Sequence, residues 1–262
     1  MHRAWSGRHI LNLLETLWPA FDIMFGMNID KPIVSQMRTA AIAAFLAGSL
    51  VAVSALFVSG AAGEEYMGQT DTVALPKPVM KGIVSLEEAL KNRRSARNYK
   101  SGELSMQQLS QVLWAAQGIT DMRGLRTAPS AGALYPLEVY VVKKDGVFKF
   151  RPQGHRLLLK KSGDLRVPLA QAAWGQAFIA QVPVDIVICA VYERVTSKYK
   201  DRGVRYTDME AGHAAQNIHL QAAALGLSSV PVGAFSDEQV SLVLGLPKEE
   251  APLYIIPVGY TR

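Results

Sequence analysis

Residues 138–151 read EVYVVKKDGVFKFR, two β-branched and aromatic runs, Glu138–Lys144 and Val147–Arg151, on either side of Asp145-Gly146. Asp-Gly between such runs is a hairpin signal, because a tight turn needs positive φ and these residues adopt it at low steric cost. A hairpin sets neighbouring strands antiparallel, whereas parallel strands need a long crossover between them. Outward from this stretch strands and helices are mixed without regular alternation. The expected fold class is therefore α+β, not a doubly wound parallel sheet.

Upstream, Ser85-Leu86-Glu87-Glu88 is a capping box that opens a short helix to about Asn92. Ser105-Met106-Gln107-Gln108 is a second one, followed by Leu109, Val112, Leu113 and Ala116 at helical spacing, with Gly118 as the stop. Downstream, a helix over Val167–Gln181 precedes the apolar run Val184–Val191, a buried strand. That strand carries the single cysteine, Cys189, so no intrachain disulfide can form and the thiol lacks the exposed, electropositive setting of a reactive one. A long helix from about Tyr206 to Leu225 ends at Gly226, Ser236-Asp237-Glu238-Gln239 caps another, and Leu253–Val258 is the last strand.

The front of the chain reads differently. Thr39 to Gly63 is a run of 25 residues without a charge, preceded by Met37-Arg38 and closed by Ser59-Gly60-Ala61-Ala62-Gly63. A basic start, an apolar middle and a small-residue exit are the parts of a secretory signal peptide, and an apolar run of this length also suits a membrane anchor. The preferred organisation is a leader over residues 1–36 (untranslated if Met37 is the true start, otherwise disordered), a signal peptide or anchor over 37–62, a linker or extended arm over 63–82, and one domain over 83–262. The body is then exported to the periplasm or held at the membrane by residues 39–63; a cytoplasmic protein is the alternative. Of the net charge of +6, residues 1–62 hold +1, leaving a body modestly basic. That suits an anionic ligand but is too scattered for nucleic acid.

Three segments of the body can carry chemistry. Arg93-Arg94-Ser95-Ala96-Arg97 offers three guanidiniums and a hydroxyl, enough to grip a phosphate monoester by charge-assisted, bidentate hydrogen bonds. Thr127-Ala128-Pro129-Ser130-Ala131-Gly132-Ala133-Leu134-Tyr135-Pro136 is a small-residue loop whose backbone can approach a planar ligand closely. Ser229-Val230-Pro231-Val232-Gly233-Ala234-Phe235 is another such loop, between two helices. Glu210 and His213 share a helix face, but a di-iron site needs a second Glu-x-x-His and two further glutamates, so no metal is expected. Ala128-Pro129-Ser130-Ala131-Gly132 lacks the strand-before, helix-after context of a hydrolase elbow.

With Arg93–Tyr99, Pro129–Tyr140, Lys198–Leu227 and Pro252–Tyr260 in this order, residues 83–262 resemble the nitroreductase superfamily, and within it the SagB-type dehydrogenase branch. The resemblance implies a homodimeric flavoprotein with FMN at the dimer interface, in which Arg93, Arg94, Ser95 and Arg97 take the phosphate and ribityl chain. By the same likeness Pro129, Ser130 and Ala131 approach the flavin from the partner subunit, and Val232, Gly233 and Ala234 line its ring. Lys198 and Tyr199 match the Lys-Tyr pair that azoline-oxidising members use near the substrate. The activity it implies is ping-pong hydride transfer through flavin N5 between a small-molecule electron donor and acceptor, the donor being NAD(P)H or another reductant. An azoline or peptide-type dehydrogenase (oxidase) and a non-catalytic flavin-binding module are the alternatives. Two departures stand out: no Asn follows Pro129-Ser130, and Arg262 alone stands where many members continue in a basic tail.

Overall fold

The computed structural model describes residues 72–261, so the readings made for residues 1–71 and for Arg262 lie outside the described residues. The strands are β1 (Thr72–Ala74), β2 (Leu137–Lys143), β3 (Gly146–Arg151), β4 (Arg156–Ser162), β5 (Val184–Ala190), β6 (Ser228–Ser229) and β7 (Ala251–Gly259). They form one sheet in the order β1-β4-β3-β2-β5-β7-β6, with every pair antiparallel. The hairpin that set the fold class is β2–β3. Lys143 pairs with Gly146, so the turn is Lys144-Asp145 and Gly146 already belongs to the strand. A Cβ there would lie 2.4 Å from the Lys161 carbonyl oxygen on β4, which only glycine avoids.

The described residues form seven α-helices: α1 (Leu86–Asn92), α2 (Met106–Gln117), α3 (Arg166–Ala172), α4 (Ala177–Gln181), α5 (Glu193–Tyr199), α6 (Arg202–Ala224) and α7 (Asp237–Leu244). Alternate strand residues point to opposite faces, and here each face is covered. On one, Leu109, Val112 and Leu113 of α2 and Ala211, Ala214 and Ile218 of α6 pack on Val139, Val141, Ile186, Ile188 and Ile256. On the other, Leu169, Ile179, Val240 and Leu244 pack on Tyr140, Val142, Val187, Cys189 and Ile255. Each such Leu or Ile contributes about 1.5–3 kcal/mol by leaving water. Double coverage is why all seven residues of β5 are buried and why its sequence, Asp185 apart, is apolar without alternation; burial pushes the Asp185 carboxyl well above the usual carboxylate range. Cys189 lies on the same strand, its thiol pushed well up by burial.

The structure corrects the sequence reading at four places. The helix expected over Val167–Gln181 is two, α3 and α4, because Trp174 and Gly175 take φ of 54° and 77° and break the ladder. The helix expected from Tyr206 begins at Arg202, where Gly203 packs against α5: a Cβ on it would stand 2.7 Å from the Thr196 backbone. Strand β4 and helix α5 had no pattern strong enough to announce them. The segment read as linker is part of the folded body from Thr72 onward: β1 pairs with β4, and the arm after it is bound to α2 through Ser110 Oγ donating to the Pro76 carbonyl at 2.5 Å and the Val79 amide donating to Gln111 Oε1 at 2.7 Å. Among these described residues, no helix is long and apolar enough to cross a membrane.

Candidate flavin site

Helix α1 is capped by Ser85, whose hydroxyl accepts from the Glu88 amide at 3.1 Å, and closes where the Arg93 amide donates to the Ala89 carbonyl at 2.9 Å. The chain then turns extended at Arg93 (φ −55°, ψ 121°) and runs beside β6. Ser95 bridges Ser229 in parallel, and the Ala96 amide donates to the Ser229 carbonyl at 3.1 Å. Arg93 Nη1 contacts His219 Nε2 at 3.0 Å. A guanidinium only donates, so Nε2 is the acceptor and the imidazole proton sits on Nδ1, which donates to Ser229 Oγ at 2.6 Å. Burial first, then the Arg93 charge, lowers the His219 pKa to about 4, so the ring is neutral at pH 7. Ser95 and Arg97 are exposed beside this anchor. Arg94 turns back on its own helix and donates to the carbonyls of Lys91 and Arg93 at 2.9 and 2.7 Å.

The Val232-Gly233-Ala234 loop is held by a two-way bridge in which Val232 and Ile255 exchange amide–carbonyl bonds of 2.8 and 2.9 Å. Val232 is thereby buried, while Gly233 and Ala234 are exposed. The Ala234 carbonyl accepts from Gln176 Nε2 at 2.9 Å, and neither the Gly233 nor the Ala234 amide has a partner among the described residues. A Cβ on Gly233 would meet nothing within 4 Å, so the space over this loop is open.

The second small-residue loop meets the other predicted residues. At Gly132 (φ 63°) a Cβ would stand 2.9 Å from the Tyr199 hydroxyl and 3.2 Å from Lys198 Nζ, so Lys198 and Tyr199 at the end of α5 lie directly against the loop that begins Pro129-Ser130-Ala131. Lys198 Nζ lies 5.3 Å from the centre of the Tyr199 ring, which packs edge-to-face on Tyr206 at 5.3 Å. Helix α5 is tied down through Arg194, which donates to the Tyr135 carbonyl at 3.0 Å and pairs with Glu138. Glu138 belongs to a buried chain of charges: it pairs with Lys149 at 3.2 Å, Lys149 with Glu250, and Glu250 accepts from the Tyr140 hydroxyl at 2.7 Å.

The predicted residues thus gather in two groups. Arg93, Ser95 and Arg97 run beside Ser229, at the head of the loop that continues to Val232, Gly233 and Ala234, and Pro129, Ser130 and Ala131 lead into Gly132, which stands against Lys198 and Tyr199. The first group touches α6 through His219 and the second through Asn217, whose Nδ2 donates to the Thr127 carbonyl at 3.4 Å. Two residues along a helix turn its surface by about 200°, so the groups sit on opposite faces of α6. Sequence reasoning did not connect His219 and Ser229 with each other or with Arg93, which they hold in place. A lone histidine and a lone serine ten residues apart carry no pattern, and only the strand pairing of Ser95 with Ser229 joins them.

The first group fits an FMN. Exposed guanidinium and hydroxyl groups suit its phosphate, and two free amides on an open, side-chain-poor loop suit the edge of a flat ring. Arg93 and Arg97 would hold the phosphate, Ser95 the neighbouring polar chain, and Gly233 and Ala234 the ring.

Comparison with known proteins places the chain in a family. The model of the nitroreductase family matches residues 90–260. A protein of Methanocaldococcus jannaschii assigned as a nitroreductase is 45% identical over 195 residues, covering 72% of this chain and 97% of the relative. The microcin B17-processing protein McbC of Escherichia coli is 26% identical over 166 residues, 58% of this chain and 61% of the relative. The FMN reductase [NAD(P)H] of Bacillus subtilis is 24% identical over 187 residues, 66% and 64%. Among solved structures, one assigned as a nitroreductase, from Ralstonia eutropha, superposes with a TM-score of 0.68 at 30% identity over 74% of this chain and 90% of that one.

Proposed function

Because the chain belongs to the nitroreductase family, we propose that it is an FMN-dependent oxidoreductase of the SagB-type dehydrogenase branch that works as a homodimer on a small-molecule electron donor and acceptor. The observation that carries this reading is the pairing of Ser95 and Ala96 with Ser229, which lays the Arg93–Arg97 run at the head of the loop whose Gly233 and Ala234 amides have no partner among the described residues. A flavin held there would supply two-electron chemistry between the donor and the acceptor. The protein's own part is to hold the phosphate through Arg93 and Arg97, to present the Gly233 and Ala234 amides to the ring, and to keep His219 neutral so that the Arg93 guanidinium keeps its acceptor. Opposite placement of the two residue groups on α6 supports the dimer: a second copy brings Pro129–Ala131, Lys198 and Tyr199 to the flavin that the first copy holds.

Flavin titration of the apo-protein tests the phosphate assignment. Arg93→Ala removes a charge-assisted contact worth about 1.5–3 kcal/mol and weakens FMN binding roughly 10- to 100-fold. Wild-type affinity in that variant would sink the assignment.

A second reading concerns the substrate. Lys198 and Tyr199 pressed against Gly132 place an amine and a phenol at the loop, as an azoline or peptide-type dehydrogenase requires, and likeness to a microcin-processing protein favours it. The apolar run of residues 39–63 is proposed to export the body or anchor it, which the mass of the mature protein checks.

A further inference from the structure

The loop from Thr127 to Pro136 holds more strain than a connector needs. Gly132, Ala133 and Tyr135 have φ of 63°, 55° and 47°. For Ala133 and Tyr135 that conformation is disfavoured by the side chain, and it persists only where the surroundings over-determine it. Three contacts do so at Tyr135. Its amide donates to Ser130 Oγ at 2.9 Å, its carbonyl accepts from Arg194 at 3.0 Å, and the Arg126 guanidinium stacks 4.3 Å from its ring centre. Having accepted from Tyr135, the Ser130 hydroxyl still has a proton to donate.

Beneath the loop stands Glu210 of α6, only 2% exposed. Both its carboxylate oxygens are buried and lack hydrogen-bond partners, as do Gln117 Nε2 and Arg126 Nε. The groups facing Glu210 are Ser130 and Arg126 from the loop and its approach, and Gln117 from the end of α2. Arg126 also donates to Gln117 Oε1 at 2.7 Å and faces Glu138, Tyr135 and Arg194. Buried polar groups left without partners are costly, and here one acceptor group and its natural donors face each other across a small gap.

We propose that Glu210 is a positioning residue of the site: its ionised carboxylate gathers the Ser130 hydroxyl, Arg126 Nε and the Gln117 amide, holds Gly132, Ala133 and Tyr135 in their left-handed conformation, and releases the loop on protonation. The hold stands on the contacts above; only its consequence for catalysis rests on the reading that Pro129–Ala131 face a flavin. Burial raises the Glu210 pKa to about 7, against the pull of Ser130, Arg126 and Gln117, so the change of state falls near neutral pH. On release Glu210 stays buried on α6 but loses the donors that pull its pKa down, so its pKa rises further, protons favour the released loop, and the loop is tighter above pH 7 than below it.

Amide hydrogen exchange of the full chain between pH 6 and 8, corrected for the intrinsic pH dependence, tests this. Peptides spanning residues 127–136 gain protection by roughly threefold or more across pH 7 in the wild type, while peptides of β5 do not. Glu210→Gln abolishes the step. Ser130→Ala, which leaves Glu210 in place and serves if the first variant fails to fold, shrinks it. A wild-type loop without a step, or a step that survives in both variants, overturns the proposal. If the step is present and FMN affinity is unchanged in Ser130→Ala, the hold stands and the flavin-facing reading of the loop fails.

Discussion

Arg93 acquires its meaning from one neighbour. An arginine at the end of a short helix is solvated by default, but here Nη1 is fixed on the neutral His219 ring, and that ring is fixed by Ser229. The histidine must stay neutral for the relay to work, since a protonated ring has no acceptor for a guanidinium. Its folded pKa of about 4 lies below the ordinary value of 6.5, so the unfolded chain binds more protons between those pH values. This group therefore contributes stability that is present above about pH 6.5 and lost as pH falls through about 4, amounting to about 3 kcal/mol. Glu210 acts in the opposite sense: its raised pKa makes stability fall as pH rises from 4.5 to about 7. The two oppose each other, so a variant must separate them. In denaturant titrations from pH 4 to 7, His219→Asn rises less steeply with pH than the wild type; equal slopes would remove the role given to the ring.

At the scale of the element, α5 and α6 show how a helix pair sets a site. Their contact is close because Gly203 has no side chain: a Cβ would stand 2.7 Å from both Thr196 Cα and N. Backbone cannot step aside as a side-chain tip can, so Gly203→Ala forces the helices apart. The expected cost is about 1–3 kcal/mol of stability, together with reduced turnover, because α5 carries Lys198 and Tyr199. Thermal unfolding checks the first part and steady-state kinetics the second; a variant as stable as the wild type would show that the contact yields more easily than its geometry implies. The same glycine explains why the start of α6 escapes a sequence reading. Glycine in a first turn weakens a helix on propensity alone, and only the neighbouring α5 supplies the reason for it.

At the scale of the whole molecule, the two residue groups on opposite faces of α6 lead to a complementation experiment. Under the proposed dimer, each flavin is held by Arg93 of one copy and served by Lys198 of the other. At an FMN concentration that fills the wild type but not the weakened site, Arg93→Ala is left largely without flavin, and Lys198→Ala keeps flavin but loses turnover. In a mixed dimer of the two variants, one site carries both substitutions and the other carries neither. Co-expression with two affinity tags therefore restores activity that neither variant has alone. If the isolated mixed dimer is inactive, each site is built within one chain.

Some of this was legible from residues alone. The Asp145-Gly146 hairpin, the N-cap at Ser85, the capping box at Ser105 and the largely apolar run of β5 report local preferences, because turn φ values, helix ends and burial act over a few neighbouring residues. They were enough for the α+β class and for three chemically capable segments. The sequence by itself could not say which segments meet. Ser95 beside Ser229, Gly132 against Tyr199 and the break at Trp174-Gly175 follow from strand pairing and helix packing, interactions between residues far apart or forced by distant packing. The division of the site into two groups on opposite sides of one helix was likewise decided only by tertiary structure. A linear motif records which side chains are available, and the direction each one faces is set by the elements packed around it.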